Sequence, residues 1–280
     1  MTFREFRTYF HDELSAVYPK TEVDALFHQL MEYSLQVSRA EMVLNRDQTI
    51  DKHKMKSLLE QTNRLSKQEP IQYIFGQVTF AEVPIELSPA VLIPRPETER
   101  LVYWIKDQEQ PNPHVLDICT GSGCIAFALE KHLGAKVSAW DISNPALQQA
   151  KQTAELIGSS VQFSKMDILS QIDTDQKWDM IVSNPPYVLE AEWDEMDDCV
   201  RRYEPHMALF TAADDSIQFY RAIASFAATH LRPGGSLYFE LNPKTFQEVI
   251  SFLKMMEFID IVVENDLRNN PRMLVAKTKA

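Results

Sequence analysis

The alternation of apolar and helical segments after Pro113 is the feature that most restricts the fold of this 280-residue chain. Short apolar runs, beginning with the one at 114–119, are separated by amphipathic stretches as long as a crossover helix. Strands joined in this way run parallel in a doubly wound sheet with helices on both faces. The last two runs are separated only by residues 266–271, too few for a helix, so this pair must be antiparallel. The sequence therefore predicts an α/β fold, a Rossmann-like and mostly parallel sheet with one reversed strand near an edge.

The first 66 residues are predicted to form a separate helical bundle. Their apolar residues recur at the three- and four-residue intervals of one helix face. Polar residues that cap helix starts occur at Thr21, before Asp24, and at Ser38, before Glu41. Because this region shows no catalytic cluster, we interpret residues 1–66 as a domain that recognises the substrate.

A change in the sequence pattern marks the boundary between two domains. Apolar and polar residues alternate through 67–92 around Gly76, which predicts a β-hairpin linking the bundle to the rest of the chain. The α/β domain is then expected over 93–280.

Charge and cysteine content restrict the partners and the compartment. The net charge of −12 weakens any hypothesis in which nucleic acid is the main partner, because nucleic-acid-binding proteins usually carry a basic face. No apolar run approaches the roughly 20 residues that span a bilayer, and the charged N-terminus does not resemble a secretory signal. The three cysteines favour a reducing cytoplasm over a disulfide framework. Cys119 and Cys124 lack further ligands nearby, so no metal site is expected.

Acidic residues end several predicted strands, at the edge where such sheets bind ligands. Asp117 precedes a tight turn at 121–123 that lacks the patterns of dinucleotide and phosphate loops. Asp141 lies about 20 residues further on, where a carboxylate accepts hydrogen bonds from ribose hydroxyls. Asp167 follows the third strand and can accept from a purine amine while Ile168 packs on the ring. Together these residues predict a site for a nucleoside with an amino-acid tail, which is S-adenosylmethionine.

The fourth strand ends at Asn184, which is followed by Pro185, Pro186 and Tyr187. The two prolines fix their φ angles, so this loop holds its polar groups in set directions. The Asn184 side-chain oxygen and the Pro185 carbonyl can accept from an amide or amine nitrogen and turn its lone pair toward a methyl donor. Tyr187 can pack its ring on the flat acceptor group, near a sulfonium cation. The loop therefore predicts methyl transfer to a planar nitrogen.

These motifs and their flanking segments resemble one protein family. The segments are EPIQYIFGQVTF, LIPRPETERLV, LDICTGSG, SNPPYV, RYEPHMALF, LRPGGSLYFEL and NDLRNNPR, in the region from Glu69 to the C-terminus. They are similar to class I methyltransferases that modify planar nitrogens and, more specifically, to the protein-(glutamine) methyltransferase family, HemK or PrmC. The resemblance implies methylation of the glutamine side-chain amide in the Gly-Gly-Gln motif of peptide chain release factors, with S-adenosylmethionine as methyl donor.

The resemblance also implies roles for individual residues. Together with Asp117 and Asp167, the expected cofactor contacts are Cys119, Thr120, Gly121, Ser122, Gly123, Asp141, Ile168 and Asn184. The acceptor glutamine would be bound by Asn184, Pro185, Pro186 and Tyr187, with Asn184, Pro185 and Tyr187 as the catalytic residues. The residues expected to close over the site are Phe80, Arg95 and Glu97.

The chain departs from the family pattern at two places. Family members commonly have glycine in place of Cys119, a change that a small thiol should permit while narrowing the pocket for the methionine part. They also have a glycine-containing run in place of ELNPKTF at 240–246. We expect this second departure to lie farther from the transfer centre.

Other functions fit parts of the pattern. A methyltransferase acting on an exocyclic base amine of DNA or ribosomal RNA would have to flip its target base and would usually carry a basic groove, whereas the region after Tyr187 is acidic. A non-catalytic cofactor-binding or assembly module would have no use for a loop that orients an amide. A protein substrate other than a release factor stays open, because substrate choice lies outside the core motif.

Overall fold

A computed structural model gives the fold of the chain and describes residues 1–212 and 215–280. The chain forms two compact units, a helical unit and an α/β unit. The helical unit comprises Met1–Gly76 with Asp197–Tyr203, and the α/β unit comprises Gln77–Met196 with Glu204–Ala280. Part of the acidic stretch that follows Tyr187 thus belongs to the helical unit.

The helical unit surrounds an apolar core. Its helices are α1 (Phe3–Leu14), α2 (Lys20–Leu35), α3 (Arg39–Leu44), α4 (Lys52–Leu65), α5 (Ile71–Phe75) and, later in the chain, α9 (Asp198–Tyr203). Phe6 and Phe10 of α1 pack against Phe27 of α2, with ring centroids 6.1 and 5.4 Å apart. The Tyr203 hydroxyl at the end of α9 donates to the Lys67 carbonyl at 2.9 Å. The periodic apolar residues of the N-terminal sequence therefore do form helix faces that bury together.

One of the two predicted helix starts is confirmed and the other is wrong. At Ser38 the hydroxyl accepts from the Glu41 backbone, and the Glu41 carboxylate accepts from the Ser38 backbone at 2.8 Å, so a capping box is present. Helix α2 instead begins at Lys20, directly after Pro19, and Thr21 lies inside its first turn. Pro19 is the N-cap residue, with an extended ψ of 148°, and no side chain among the described residues caps the start of this helix.

The α/β unit begins with a β-hairpin whose turn differs from the predicted one. Strand β1 (Gln77–Phe80) pairs antiparallel with β2 (Val83–Glu86). The turn is formed by Ala81 and Glu82, which adopt φ values of 44° and 63°. Gly76 does not lie in this turn but ends α5 with φ of 71°. Glycine serves there as a left-handed helix cap, which the alternating pattern could not distinguish from a turn residue.

The remaining strands build the sheet that positions the site. They are β3 (His114–Ile118), β4 (Lys136–Asp141), β5 (Gln162–Lys165), β6 (Trp178–Ser183), β7 (Leu231–Glu240), β8 (Ile259–Asn265) and β9 (Pro271–Lys277). In the described residues they form a seven-stranded sheet of order β5-β4-β3-β6-β7-β9-β8. Strand β9 is antiparallel to both of its neighbours and lies next to the edge strand. The predicted fold class is confirmed.

Helices cover both faces of this sheet. The helices of this unit are α6 (Pro96–Gln108), α7 (Cys124–Leu133), α8 (Asn144–Ile157), a 3₁₀ helix (Glu190–Glu195), α10 (His206–Leu209), α11 (Gln218–His230) and α12 (Phe246–Met255). Val115 and Leu116 are successive residues of β3 and so point to opposite faces, and both are fully buried, as expected for a strand covered on both sides. Strand order reverses between β3 and β6, which is where such sheets bind ligands. Within the described part of the chain, no helix is long and apolar enough to cross a membrane.

Candidate active site

A cavity of about 260 Å³ lies at the carboxyl ends of β3, β4, β5 and β6 and includes the place where the strand order reverses. Its walls contain most of the residues predicted for the cofactor and acceptor sites: Arg95, Cys119, Thr120, Gly121, Ser122, Asp141, Asp167, Ile168, Asn184 and Pro186. The predicted residues that lie outside its walls are Phe80, Glu97, Asp117, Gly123, Pro185 and Tyr187. One cavity therefore unites residues from four strand ends that are far apart in sequence.

The two glycines of the turn after β3 have different functions. Gly121 has φ of +55°, and apart from its chain neighbours no atom of the described residues lies within 4 Å of the position that a Cβ would take. A side chain there would occupy open space at the cavity wall, so glycine keeps the backbone accessible to a ligand. Gly123 has φ of +80°, and a Cβ there would lie 2.6 Å from the Phe127 ring. Its glycine is required by packing at the start of α7.

Two predicted carboxylates order their own loops. Asp141 accepts from the backbone N–H groups of Gly121 and Ser143, each at 2.8 Å, so it ties the glycine turn to the end of β4. Burial raises the pKa of Asp141, and these backbone hydrogen bonds oppose the rise. Asp167 accepts from the Leu169 backbone at 3.0 Å. A carboxylate has about four acceptor positions, so both side chains keep capacity for a ligand.

Asp117 is fully buried beneath the glycine turn. Its Oδ2 accepts from the Thr120 hydroxyl at 2.6 Å, and Thr120 in turn lines the cavity. The pKa of Asp117 is raised to about 7, mainly by burial. The hydrogen bond from Thr120 acts to lower this pKa, and the nearby Asp141 acts to raise it. A direct contact between Asp117 and the cofactor stays a prediction.

Cys119 occupies a backbone conformation that favours glycine. Its φ is 60°, in the left-handed region that costs a residue with a Cβ about 1–2 kcal/mol. This conformation is one that glycine adopts without strain, which gives a physical reason for the glycine that the resemblance implies at this place. Burial raises the pKa of the Cys119 thiol, so the cavity wall carries a neutral sulfur here.

The loop after β6 is held by hydrogen bonds between side chains. Asn184 donates from Nδ2 to the Thr98 hydroxyl at 3.1 Å, and Thr98 donates to Oε2 of Glu240 at 2.5 Å. The Tyr187 hydroxyl donates to the other oxygen of Glu240, Oε1, at 3.0 Å. Burial raises the pKa of Glu240, whereas the bonds from Thr98 and Tyr187 and the charge of Arg272 lower it. One buried carboxylate therefore connects both ends of the loop.

The segment 240–246 reaches this loop, which corrects the expectation that it lies farther away. Asn242 is 3% exposed, and its Nδ2 donates to the Tyr187 carbonyl at 2.9 Å. The segment that the resemblance marks as unusual thus includes a side chain that directly supports the loop.

Thr98 and Glu240 are functional candidates that the sequence reasoning missed. Glu240 ends β7, so the strand-end argument that singled out Asp141 applies to it equally well. Thr98 is a buried residue in the first turn of α6, and no sequence signal marks it, because its partners lie in other elements.

The residues predicted to close over the site lie in different surroundings. Arg95 lines the cavity and forms an ion pair with Glu204, with Nη2 and Oε1 2.5 Å apart. Phe80 is 3% exposed at the end of β1 and is part of the apolar interior of the unit. Glu97 is partly buried in the first turn of α6.

Comparison with known proteins first gives the class. Residues 97–200 match the family described as Methyltransferase small domain. A methyltransferase from Pyrococcus furiosus superposes with a TM-score of 0.54 at 18% identity, covering 82% of this chain and 100% of that one. The Thermus thermophilus 16S rRNA N2 G1207 methyltransferase superposes with a TM-score of 0.55 at 18% identity, covering 72% and 50%. The fold and the site define a class I S-adenosylmethionine-dependent methyltransferase.

Similarity over the whole sequence gives the family. Residues 5–76 match the PrmC N-terminal domain. The release factor glutamine methyltransferase of Flavobacterium psychrophilum is 38% identical over 280 residues and covers 98% of each chain. That of Bacteroides thetaiotaomicron is 40% identical over 270 residues, covering 96% of this chain and 97% of its own. The chain belongs to the release factor glutamine methyltransferase family.

Proposed function

We propose that this protein transfers a methyl group from S-adenosylmethionine to the side-chain amide nitrogen of a glutamine in peptide chain release factors. The acceptor is the glutamine of the Gly-Gly-Gln motif, and the reaction takes place in the cytoplasm, where translation is terminated. Relatives named release factor glutamine methyltransferases, which align with 96–98% of this chain, support a release factor as the substrate, and the Gly-Gly-Gln position is what the resemblance implies. The observation that carries the chemistry is Asn184 at the cavity wall, with its amide nitrogen bonded to Thr98.

The walls of the cavity fit the parts of S-adenosylmethionine. The open space at Gly121 accommodates the amino-acid part, and Cys119, Thr120 and Ser122 form the surrounding wall. Asp141 has free acceptor positions for ribose hydroxyls. Asp167 and Ile168 flank the place proposed for the adenine, and Ile168 contributes an apolar surface. When bound, the cofactor supplies a methyl group activated by its sulfonium charge.

The loop residues prepare the acceptor. The lone pair of an amide nitrogen is delocalised into the carbonyl group, so the nitrogen is a weak nucleophile until its geometry changes. The Asn184 Oδ1 and the Pro185 carbonyl accept hydrogen bonds from its two N–H groups and direct the lone pair toward the methyl group. Both oxygens are weak bases, so they orient the nitrogen while the S–CH₃ bond breaks and the N–CH₃ bond forms, and the proton that the nitrogen then loses passes to solvent. The prolines fix these directions before the substrate arrives.

The proposed function is tested by incubating the protein with isotopically labelled S-adenosylmethionine and a purified release factor, followed by peptide mass mapping. The expected result is one added methyl group on the Gly-Gly-Gln glutamine. The matched control is the same release factor with that glutamine replaced by alanine, which should gain no label. Label at another residue, or none on the intact factor, would contradict the proposal.

The helical unit is proposed to bind the substrate protein. A Gly-Gly-Gln loop offers little surface, whereas a standard protein contact buries about 800 Å² on each partner. Val43 and Leu44 on α3 are apolar side chains that are 68% and 82% exposed, and so are available to a partner. Deleting the N-terminal region would also remove the packing of Asp197–Tyr203, so surface substitutions are the cleaner test.

The double variant Val43→Ser/Leu44→Ser should raise KM for the intact release factor and leave the affinity for S-adenosylhomocysteine unchanged. Leu156→Ser is the matched control, because Leu156 is 65% exposed on α8 of the α/β unit. An unchanged KM in the double variant would remove α3 from the proposed binding surface.

A further inference from the structure

We infer that Thr98 and Glu240 are positioning residues that determine which end of the Asn184 amide faces the acceptor glutamine. The inference rests on the proposed function. It concerns the three-residue network in which Asn184 donates to Thr98 and Thr98 donates to Glu240.

The proline loop leaves this orientation undetermined. Pro185 and Pro186 fix backbone angles, but the terminal torsion of an asparagine side chain is broad and roughly two-fold. An Asn184 amide rotated by half a turn would present its NH₂ group to the substrate. The substrate nitrogen also carries N–H groups, so two donors would face each other and neither could be satisfied.

Glu240 sets the direction of the hydrogen bonds. A carboxylate only accepts, so the single hydroxyl proton of Thr98 is directed to its Oε2. The Thr98 oxygen can then only accept from Asn184, which must turn its Nδ2 toward it. The Asn184 oxygen consequently points away from Thr98 and is free to accept from a ligand in the cavity. The order of donors therefore selects one of the two amide orientations.

The carboxylate is held in place from several sides. Glu240 is 1% exposed, and its Oε1 accepts from the Tyr187 hydroxyl, at the other end of the loop. Its backbone carbonyl accepts from the Tyr220 hydroxyl at 3.0 Å. A side chain fixed by these contacts can hold Thr98 in one rotamer without contacting the substrate itself.

The first test is Thr98→Val, which keeps the shape of the side chain and removes its hydroxyl. We expect kcat with release factor to fall about fivefold to tenfold, the effect of one net hydrogen bond. The KM for release factor and the affinity for S-adenosylhomocysteine should change by less than about twofold. Thr98→Ser retains the hydroxyl and should restore most of kcat. A general packing defect would not lower kcat while leaving KM and cofactor affinity unchanged, and Thr98→Ser would not reverse it.

Thr153→Val is the matched control. Thr153 is also fully buried, in α8, and its hydroxyl accepts from the Glu86 backbone, outside the loop network. The same chemical change there should leave kcat unchanged. An equal fall of kcat in both variants would overturn the inference.

A double-mutant cycle tests whether Thr98 acts through Asn184. In an Asn184→Ala background, Thr98→Val should have no further effect on kcat, because no amide is left to orient. If Thr98→Val lowered kcat by the same factor with and without the Asn184 side chain, the inference would be overturned. Glu240→Gln should also lower kcat, because an amide has one acceptor oxygen for two donors, and an unchanged kcat would remove the carboxylate from the network.

The outcomes separate this inference from the proposed function. If the unchanged protein fails to methylate the release factor glutamine, the proposed function is wrong. If it does methylate that glutamine and Thr98→Val is fully active, the function stands and the positioning role is wrong.

Discussion

The cofactor side and the acceptor side of the cavity are held together by different kinds of contact. On the cofactor side, the Asp141 carboxylate accepts from the backbone of Gly121 and Ser143 across neighbouring strands. On the acceptor side, the loop depends on side-chain bonds between Asn184, Thr98 and Glu240, which belong to three separate elements. A site that relies on backbone N–H groups depends less on the identity of the side chains around it, whereas a side-chain network depends on the identity of each residue.

Removal of Asn184 should have the largest effect, and turnover should fall more than cofactor affinity, because Asn184 is also an expected cofactor contact. Asn184→Ala is expected to lower kcat with release factor by about 10²-fold, comparable to losing one preorganised polar group in other active sites. Steady-state kinetics and calorimetry with S-adenosylhomocysteine measure the two sides separately. Asn63→Ala, at an exposed position on α4, is the control for the substitution itself. Near-normal turnover would contradict the contrast between the two sides, because the loop would then not orient the acceptor.

Removal of Asp141 should give the reverse pattern. Asp141→Ala leaves the Gly121 N–H and the proposed ribose hydroxyls without an acceptor, so S-adenosylhomocysteine affinity should fall by about 1–3 kcal/mol. Turnover at saturating cofactor should fall less than in Asn184→Ala. Calorimetry on this variant and on Asp107→Ala, an exposed position on α6, gives the comparison. Unchanged affinity would mean that the ribose lies elsewhere.

Replacement of Asp117, on the cofactor side, should change the pH dependence of the free energy of unfolding of the α/β unit. Its pKa is raised from 3.8 to about 7 by burial, so between these values the native state keeps a proton that the unfolded state has lost. Stability is therefore lost as pH rises through this window, by at most about 1.4 kcal/mol per pH unit. Asp117→Asn does not titrate and should lack this contribution.

Urea unfolding at several pH values between 4 and 8 measures the difference between the two proteins. The four tryptophans of the chain, Trp104, Trp140, Trp178 and Trp193, all lie in the α/β unit, so their fluorescence reports on that unit. Parallel stability curves for the two proteins would contradict a titration of Asp117 in this range.

The smallest effect is expected at Cys119. It tests whether backbone conformation, rather than side-chain packing, determines stability at this position on the cofactor side. With φ of 60°, this position should favour glycine over any residue with a Cβ. Cys119→Gly should be more stable than Cys119→Ala by about 1 kcal/mol, the left-handed penalty less the greater chain entropy of glycine. Urea unfolding followed by tryptophan fluorescence compares the two variants at one site. Greater stability of the alanine variant would mean that packing, not backbone strain, dominates there.

The class of fold and the edge of the sheet where the site lies follow from the amino-acid sequence alone. Helix-length spacings between apolar runs require parallel strands, and the short 266–271 connection requires a reversed one, so the sheet follows from chain geometry. Acids at strand ends converge at one edge for the same reason, which is why the sequence pattern correctly predicts that Asp141 and Asn184 share a cavity.

Local backbone choices depend on how neighbouring elements pack. The turn of the hairpin falls on Ala81 and Glu82, because Gly76 is needed to end α5. The start of α2 falls after Pro19 rather than at Thr21. In both cases the residues used are not those that local chemistry favours, because Ala81 and Glu82 adopt positive φ and Pro19 has no capping side chain, so the local sequence alone does not predict these choices.

The network behind the acceptor loop depends entirely on tertiary structure. Thr98 forms hydrogen bonds with Asn184, which lies 86 positions further along the chain, and with Glu240, which lies 142 positions further along. Neither spacing corresponds to the period of a helix or a strand. Periodic patterns describe which face of an element is buried, but not which side chain of another element meets it there. A hydrogen bond requires its two atoms to approach within a few tenths of an ångström of one distance, and only the packed sheet and α6 together fix positions that closely.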